Sequence, residues 1–202
     1  GLSRCIKETF SPAQTRKQKP LVTEYTYDNW GRMCETVRAD GSKLLRTFAA
    51  HSVSELTTLL EVLDTRGDPA QPVCSREYDG LDRLTRMAVG PRVEKYQYRG
   101  LTQLVEKRSI SNSKGTDKRT HVTHYEYKPN LTTQPSQVAA TFEDVSQPHV
   151  PDASSFDYFP SDAQISSATN SNGNRTYSYT DQGYLAHEYW KVNDQAQYDI
   201  HN

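Results

Sequence analysis

Charge of one sign, long apolar runs and paired cysteines are all scarce in this 202-residue chain. Its 24 Lys and Arg balance 25 Asp and Glu, for a net charge of −1. That balance removes the electrostatic case for nucleic acid or an anionic membrane surface as partner. No apolar run approaches the roughly 18 residues of a membrane-crossing helix. The opening Gly1-Leu2-Ser3-Arg4-Cys5 has no apolar stretch of the kind a secretion signal needs. With the patterned ending Gln197-Tyr198-Asp199-Ile200, it reads as a fragment of a longer chain. The three cysteines, Cys5, Cys34 and Cys74, are odd in number and far apart. They supply neither a disulfide framework nor a metal knuckle.

Catalytic wording is also missing. There is no Gly-x-Ser-x-Gly, no phosphate loop and no His-Glu-x-x-His. His121 and His124 stand three apart, which on a strand sends them to opposite faces and away from a shared ion. His51, His149, His187 and His201 are isolated. The carboxylate pairs Asp79 with Asp82 and Glu143 with Asp144 are read as a turn cap and a solvated loop, not as a hydrolytic pair. The expectation is a non-enzymatic chain with no catalytic, cofactor or metal site.

What is present is aromatic. Only 34% of residues are apolar and the mean hydropathy is −0.85, yet there are 13 Tyr, 5 Phe and 2 Trp. Such rings bury large areas, so the composition excludes disorder and suits a thin sheet with one face packed. The tyrosines recur in a phrase of tyrosine, turn and basic residue. It reads Tyr25-Thr26-Tyr27-Asp28-Asn29-Trp30-Gly31-Arg32, then Tyr78-Asp79-Gly80-Leu81-Asp82-Arg83-Leu84, then Tyr96-Gln97-Tyr98-Arg99-Gly100-Leu101. Looser copies are Tyr125-Glu126-Tyr127-Lys128 and Tyr177-Ser178-Tyr179-Thr180-Asp181-Gln182-Gly183. In the full phrase Asp can bond forward to backbone N–H groups, Gly accepts positive φ, and Arg begins the return strand. Tyr-x-Tyr puts two rings on one face, ready to form cross-strand ladders.

Residues 1–20 read as a polar linker or a preceding strand, with 6–10 as the strand candidate. Residues 21–202 read as one β-sheet region of repeated hairpins. Asp40-Gly41 is a two-residue hairpin signal, and Asn172-Gly173 a type I′ candidate. Two stretches depart from the pattern. Leu56, Leu59, Leu60 and Leu63 have helical spacing, but β-branched neighbours favour a strand pair, and both readings stand. Residues 129–160 carry five prolines and read mostly as loop, with one short strand near 138–142. The anchors Tyr27, Tyr78, Tyr98, Tyr127 and Tyr179 are 51, 20, 29 and 52 residues apart, with Tyr158 as a degraded copy inside the last step.

These phrases resemble the YD repeats of bacterial Rhs proteins and of the B and C subunits of insecticidal toxin complexes. Tyr27-Asp28-Asn29-Trp30-Gly31-Arg32-Met33 carries the family's Tyr-Asp-x-x-Gly-Arg-Leu wording, and Tyr78-Asp79 to Leu84 carries it with Asp82 for Gly. At Tyr179 the Asp comes one place late and Tyr184 replaces Arg; at Tyr98 and Tyr127, Arg99 and Lys128 replace Asp. The resemblance implies an all-β fold: an antiparallel hairpin ribbon coiled into part of a hollow shell. It implies a structural role, enclosing a toxic polypeptide until a bacterial toxin system delivers it. The partners would be the rest of the shell and the enclosed polypeptide. The family's Asp-Pro-x-Gly autoproteolytic ending is absent, since Asp68-Pro69 is followed by Ala70-Gln71. A carbohydrate-binding module is the alternative, with Tyr25, Tyr27, Trp30, Tyr96, Tyr98 and Trp190 as sugar-stacking rings.

Overall fold

The computed structural model describes residues 4–11, 20–66, 68, 71–113, 119–128, 132–143, 152–192 and 196–201. Every element among them is a strand. They are β1 (Lys7–Phe10), β2 (Leu21–Tyr27), β3 (Met33–Val37), β4 (Lys43–Phe48), β5 (Thr57–Leu63), β6 (Gln71–Tyr78), β7 (Leu84–Val89) and β8 (Arg92–Tyr98). There follow β9 (Val105–Asn112), β10 (Thr120–Tyr127), β11 (Pro135–Glu143), β12 (Asp152–Tyr158), β13 (Ile165–Asn170), β14 (Gly173–Tyr179), β15 (Leu185–Val192) and β16 (Ala196–His201). Hydrogen-bonded neighbours follow sequence order in one 16-stranded sheet. The all-β hairpin ribbon expected from the sequence is the observed fold. By internal contact the chain divides into two units, Gly1–Val93 and Glu94–Asn202.

In the first unit the registers place Tyr25, Thr36, Leu44 and Val62 in one row across β2 to β5. Arg46, Leu60, Cys74 and Val89 make a second row on the same face. The opposite face carries Glu24, Val37, Lys43 and Leu63, with ion pairs such as Lys43–Glu35 at 2.8 Å. A single sheet layer has no second layer to seal it. Accordingly the buried apolar side chains among the described residues are few: Ala49, Cys74, Val122 and Tyr158, with Val122 alone fully buried.

The leucine-rich stretch resolves as β5, paired to β4 on one side and β6 on the other. Ladder bonds on both edges outweigh the helical spacing of its leucines. The proline-rich stretch is more ordered than the prolines suggest, holding β11 and β12. Pro135 opens β11, a place where a missing N–H is tolerated. Residues 129–131 and 144–151 lie outside the described ones.

Two hairpin turns differ from expectation. Arg38 N–H donates to Ser42 O at 2.9 Å around Ala39, Asp40 and Gly41, with φ +85° at Gly41. That is a three-residue loop ending in a left-handed glycine, not a two-residue turn. Asn170 pairs with Gly173, so the loop is Ser171-Asn172, and the positive φ of 146° falls on Gly173. A type I′ turn needs positive φ at both loop residues, which neither shows.

Candidate functional site: an anchor and a turn at every second strand

The repeated phrase sits at one end of the hairpins, where each even-numbered strand stops. Its last tyrosine coincides with a register shift against the following strand. This holds for Tyr27, Tyr78, Tyr127, Tyr158 and Tyr179. The extra residue of such a bulge turns the side chain back over the sheet. Each of these hydroxyls then donates to a carbonyl at the start of the preceding strand or, for Tyr27, just before it. Tyr27 reaches Cys5 O at 2.7 Å, Tyr78 reaches Thr57 O at 3.2 Å and Tyr127 reaches Val105 O at 2.8 Å. Tyr158 reaches Pro135 O at 2.7 Å and Tyr179 reaches Ile165 O at 3.0 Å. Extending each register beyond its last pair puts the acceptor, in all five, one residue from the position opposite the anchor. Burial raises the phenol pKa of Tyr127, Tyr158 and Tyr179, keeping each hydroxyl a donor.

Tyr158 is therefore an anchor like the others. Phe48 closes β4 at the same kind of register shift, without a hydroxyl. Adding Phe48 and Tyr158 turns the sequence spacings into steps of 21, 30, 20, 29, 31 and 21 residues. The steps of 51 and 52 residues each concealed one anchor. Tyr158 was visible as a tyrosine; Phe48 could have been found only by asking what halves the gap from Tyr27 to Tyr78.

The turns that follow share one build. Asp28 N–H donates to Arg32 O and Gly31 N–H to Asp28 O, both at 2.9 Å, with φ +79° at Gly31. Asp28 Oδ1 accepts the N–H groups of Trp30 and Arg32 at 2.9 Å, and Oδ2 accepts Arg32 Nε at 2.7 Å. The turn at 79–83 repeats each bond, with Leu81 and Arg83 as donors and Asp82 in the left-handed place at φ +59°. At 180–184 Thr180 Oγ1 takes the carboxylate's part, accepting Tyr184 N–H at 3.2 Å, and Gly183 is left-handed at φ +82°. Burial disfavours the charge on Asp28, but the Arg32 and Trp30 donors outweigh it and hold the carboxyl below its ordinary range. At Asp79 the Arg83 guanidinium is the leading cause of the same downward shift.

Neighbouring turns are also tied to one another. Arg32 Nη1 donates to Ser52 O at 2.8 Å while its guanidinium lies 4.6 Å from the Phe48 ring centroid. His51 Nε2 and Ser52 Oγ meet the carboxylate of Asp82 at 3.1 and 3.3 Å. Where a basic residue replaces Asp after the anchor, it reaches outward. Arg99 donates to Tyr127 O at 3.4 Å, and Lys128 pairs with Asp157 at 2.7 Å. Gln164 Nε2 donates to Gly183 O at 3.2 Å.

The first tyrosines of the pairs do other work. Tyr25 donates to Glu8 Oε2 at 3.0 Å. Tyr96 donates to Glu94 Oε2 at 2.6 Å, on a carboxylate only 3% exposed that Arg108 also holds at 2.6 Å. Burial and this bond raise the Tyr96 pKa. Tyr125 pairs with Val138 across β11. Tyr177 lines a cavity of about 300 Å³ with Phe156, Ala168, Arg175 and Trp190. Arg175 covers Trp190 at 4.4 Å, and Tyr198 packs against it at 5.5 Å. His121 packs edge-on to Phe142 at 5.2 Å. Among the described residues no group of three or more His, Cys, Asp or Glu is gathered as for a metal.

This recurrent sheet was compared with known proteins. No protein-family model matches the chain, and no curated protein does. Solved structures do. The TcdB2-TccC3-Cdc42 crystal structure superposes at a TM-score of 0.69 with 18% identity over 91% of this chain. The TcdB2-TccC3 crystal structure gives 0.68 over 91%, and the Tc holotoxin pore of Photorhabdus luminescens 0.68 over 90%, again at 18% identity. The chain has the fold of a stretch of these toxin-complex chains. It spans about a tenth of their length, 10% in each case. The resemblance read from the tyrosine phrase holds at the level of fold.

Proposed function

We propose that this chain is a structural stretch of an Rhs-type β-shell, within which residues 21–202 form one hairpin region. The shell encloses a toxic polypeptide before a bacterial toxin system delivers it. The observation that carries this reading is the anchor-and-turn device repeated at every second strand, on a fold shared with toxin-complex structures. A repeat that ties each hairpin to the next builds an extensible wall. Nothing in it converges on a reacting centre, which suits a non-catalytic role. The repeat-defining residues are Tyr27, Asp28, Gly31, Arg32, Tyr78, Asp79, Arg83, Tyr98, Tyr127, Tyr179 and Gly183, joined by Phe48 and Tyr158. Tyr25, Tyr96, Tyr125 and Tyr177 serve the sheet face. The partners are the remaining shell and its cargo.

Sugar stacking is the weaker reading, because Trp190 already lies between Arg175 and Tyr198. Electron microscopy with limited proteolysis of the complete gene product tests the proposal. A sheet wall around a protease-protected polypeptide supports it; a compact globule with no interior overturns it.

A further inference from the structure

One face of the second unit carries a cross-strand ladder with a gap in it. Phe156, Ala168, Arg175, Trp190 and Tyr198 stand directly opposite one another across β12 to β16. Four of the five are planar groups, and planar neighbours across strands stack. Arg175 lies over the Trp190 ring at 4.4 Å and donates to Glu188 Oε1 at 3.2 Å, so it leans toward β15. Tyr198 meets Trp190 at 5.5 Å. Ala168 alone puts no plane into the row. Above it lies the cavity of about 300 Å³, with Phe156 as one wall and Arg175 as the other. Tyr177, two residues from Arg175 on the same face, closes one end, while Gly173 adds no side chain at the other. The walls rise from strands two apart, about 9.6 Å. A flat ring midway lies about 4.8 Å from each, inside the roughly 4.5–7 Å at which aromatic centroids pair.

We propose that this slot binds a tyrosine or tryptophan side chain of a polypeptide lying over the face. The walls select that chemistry. Arg175 repels a cation, and its pairing with Glu188 leaves little attraction for an anion. An aliphatic side chain fits but takes nothing from the guanidinium, whereas an electron-rich ring face attracts it. Asn172, beside Gly173, gives the polar edge of a phenol or indole a bonding partner. That the polypeptide is the enclosed cargo rests on the shell reading; the slot itself does not.

Equilibrium binding to the purified chain tests it, with an unstructured Gly-Ser peptide bearing one central Tyr as probe. Trp190 emission, read in a Trp30→Phe background, reports occupancy. The expected result is saturable binding that weakens about ten-fold or more when Ala replaces the probe's Tyr, from the lost ring burial. Cyclohexylalanine in its place, equal in size but without a π face, should bind about three-fold more weakly. Ala168→Leu fills the slot and should abolish binding. Arg175→Gln should erase the preference for Tyr over cyclohexylalanine. Far-UV circular dichroism checks that each variant keeps its sheet. A chain that does not bind the peptide saturably overturns the proposal. So does equal binding of the Tyr and cyclohexylalanine probes, or binding that survives Ala168→Leu. Binding of N-acetyltyrosinamide or methyl glucoside but not of the peptide also overturns it, by assigning the slot to a small molecule. These outcomes leave the shell reading to the microscopy of the complete gene product.

Discussion

The two ends of the hairpins follow different rules. At the anchor end a ring marks each stop, the register shifts by one, and the turn is bonded inward and to its neighbour. At the opposite end the connections vary freely: three residues at 39–41, two at 90–91, and far longer stretches at 64–70, 113–119 and 144–151. Steps near 30 residues differ from steps near 20 in longer strands and longer connections at that end, while the anchor-end connection also varies, from five residues at 28–32 and 79–83 to eight at 49–56. A ribbon built this way holds its anchor edge within narrower limits and lets the other carry insertions. Loop length costs little because closure entropy grows only as its logarithm.

The largest test of this contrast is truncation of a ring at each end. Tyr158→Ala should destabilise the second unit by about 3 kcal/mol, since it removes a buried ring together with its bond to Pro135. Phe142→Ala, at the opposite end and 43% exposed, should cost about 1 kcal/mol. Urea denaturation of both variants gives the comparison, and equal losses would erase the distinction between ends.

Removing only hydroxyls is subtler. Tyr127→Phe and Tyr179→Phe should each cost about 1 kcal/mol, the net worth of one part-buried bond, plus whatever the orphaned carbonyl adds.

The anchor-end carboxylates give the edge an acid limit. Asp28 and Asp79 have folded pKa values below their ordinary 3.8. Their contribution is therefore complete above that value and is lost as pH falls through the folded pKa. Denaturation midpoints measured from pH 6 downward should fall more shallowly for Asp28→Asn/Asp79→Asn than for the natural chain. Parallel curves would mean these bonds add nothing.

The smallest effect belongs to the opposite end. Doubling the 144–151 connection with Gly-Ser residues should cost about 0.6 kcal/mol. The same insertion within 28–32 should displace Gly31 from its left-handed place and cost several times more.

Much of this was legible in the sequence where the signal is local. Asp28 bonding forward, Gly31 at positive φ and Arg32 leading the return strand are one turn's chemistry, written in five consecutive residues. The all-β hairpin order followed from alternation and turn residues. What stayed hidden depends on partners far along the chain. Tyr158 reads as a degraded copy in the sequence and Phe48 goes unread; both are anchors because of register, and the carbonyl that an anchor hydroxyl meets lies 14 to 23 residues away. Pro135 looked like a breaker, yet it begins a strand whose partners on both sides hold it. Arg99 and Lys128 looked like failures of the phrase, and their reach to the next anchor, Tyr127, and to Asp157 beside the one after it appears only in three dimensions.

Phe48 offers the most direct test of the rule that one anchor ends every second strand. Extending the register of β3 and β4, where Glu35 pairs with Leu45, places Met33 O where the other anchors find their acceptor. Phe48→Tyr should therefore gain a bond to Met33 O and raise stability toward urea by about 1 kcal/mol. An unchanged or lowered midpoint would contradict the rule, because the position would then share the register shift of an anchor without its geometry.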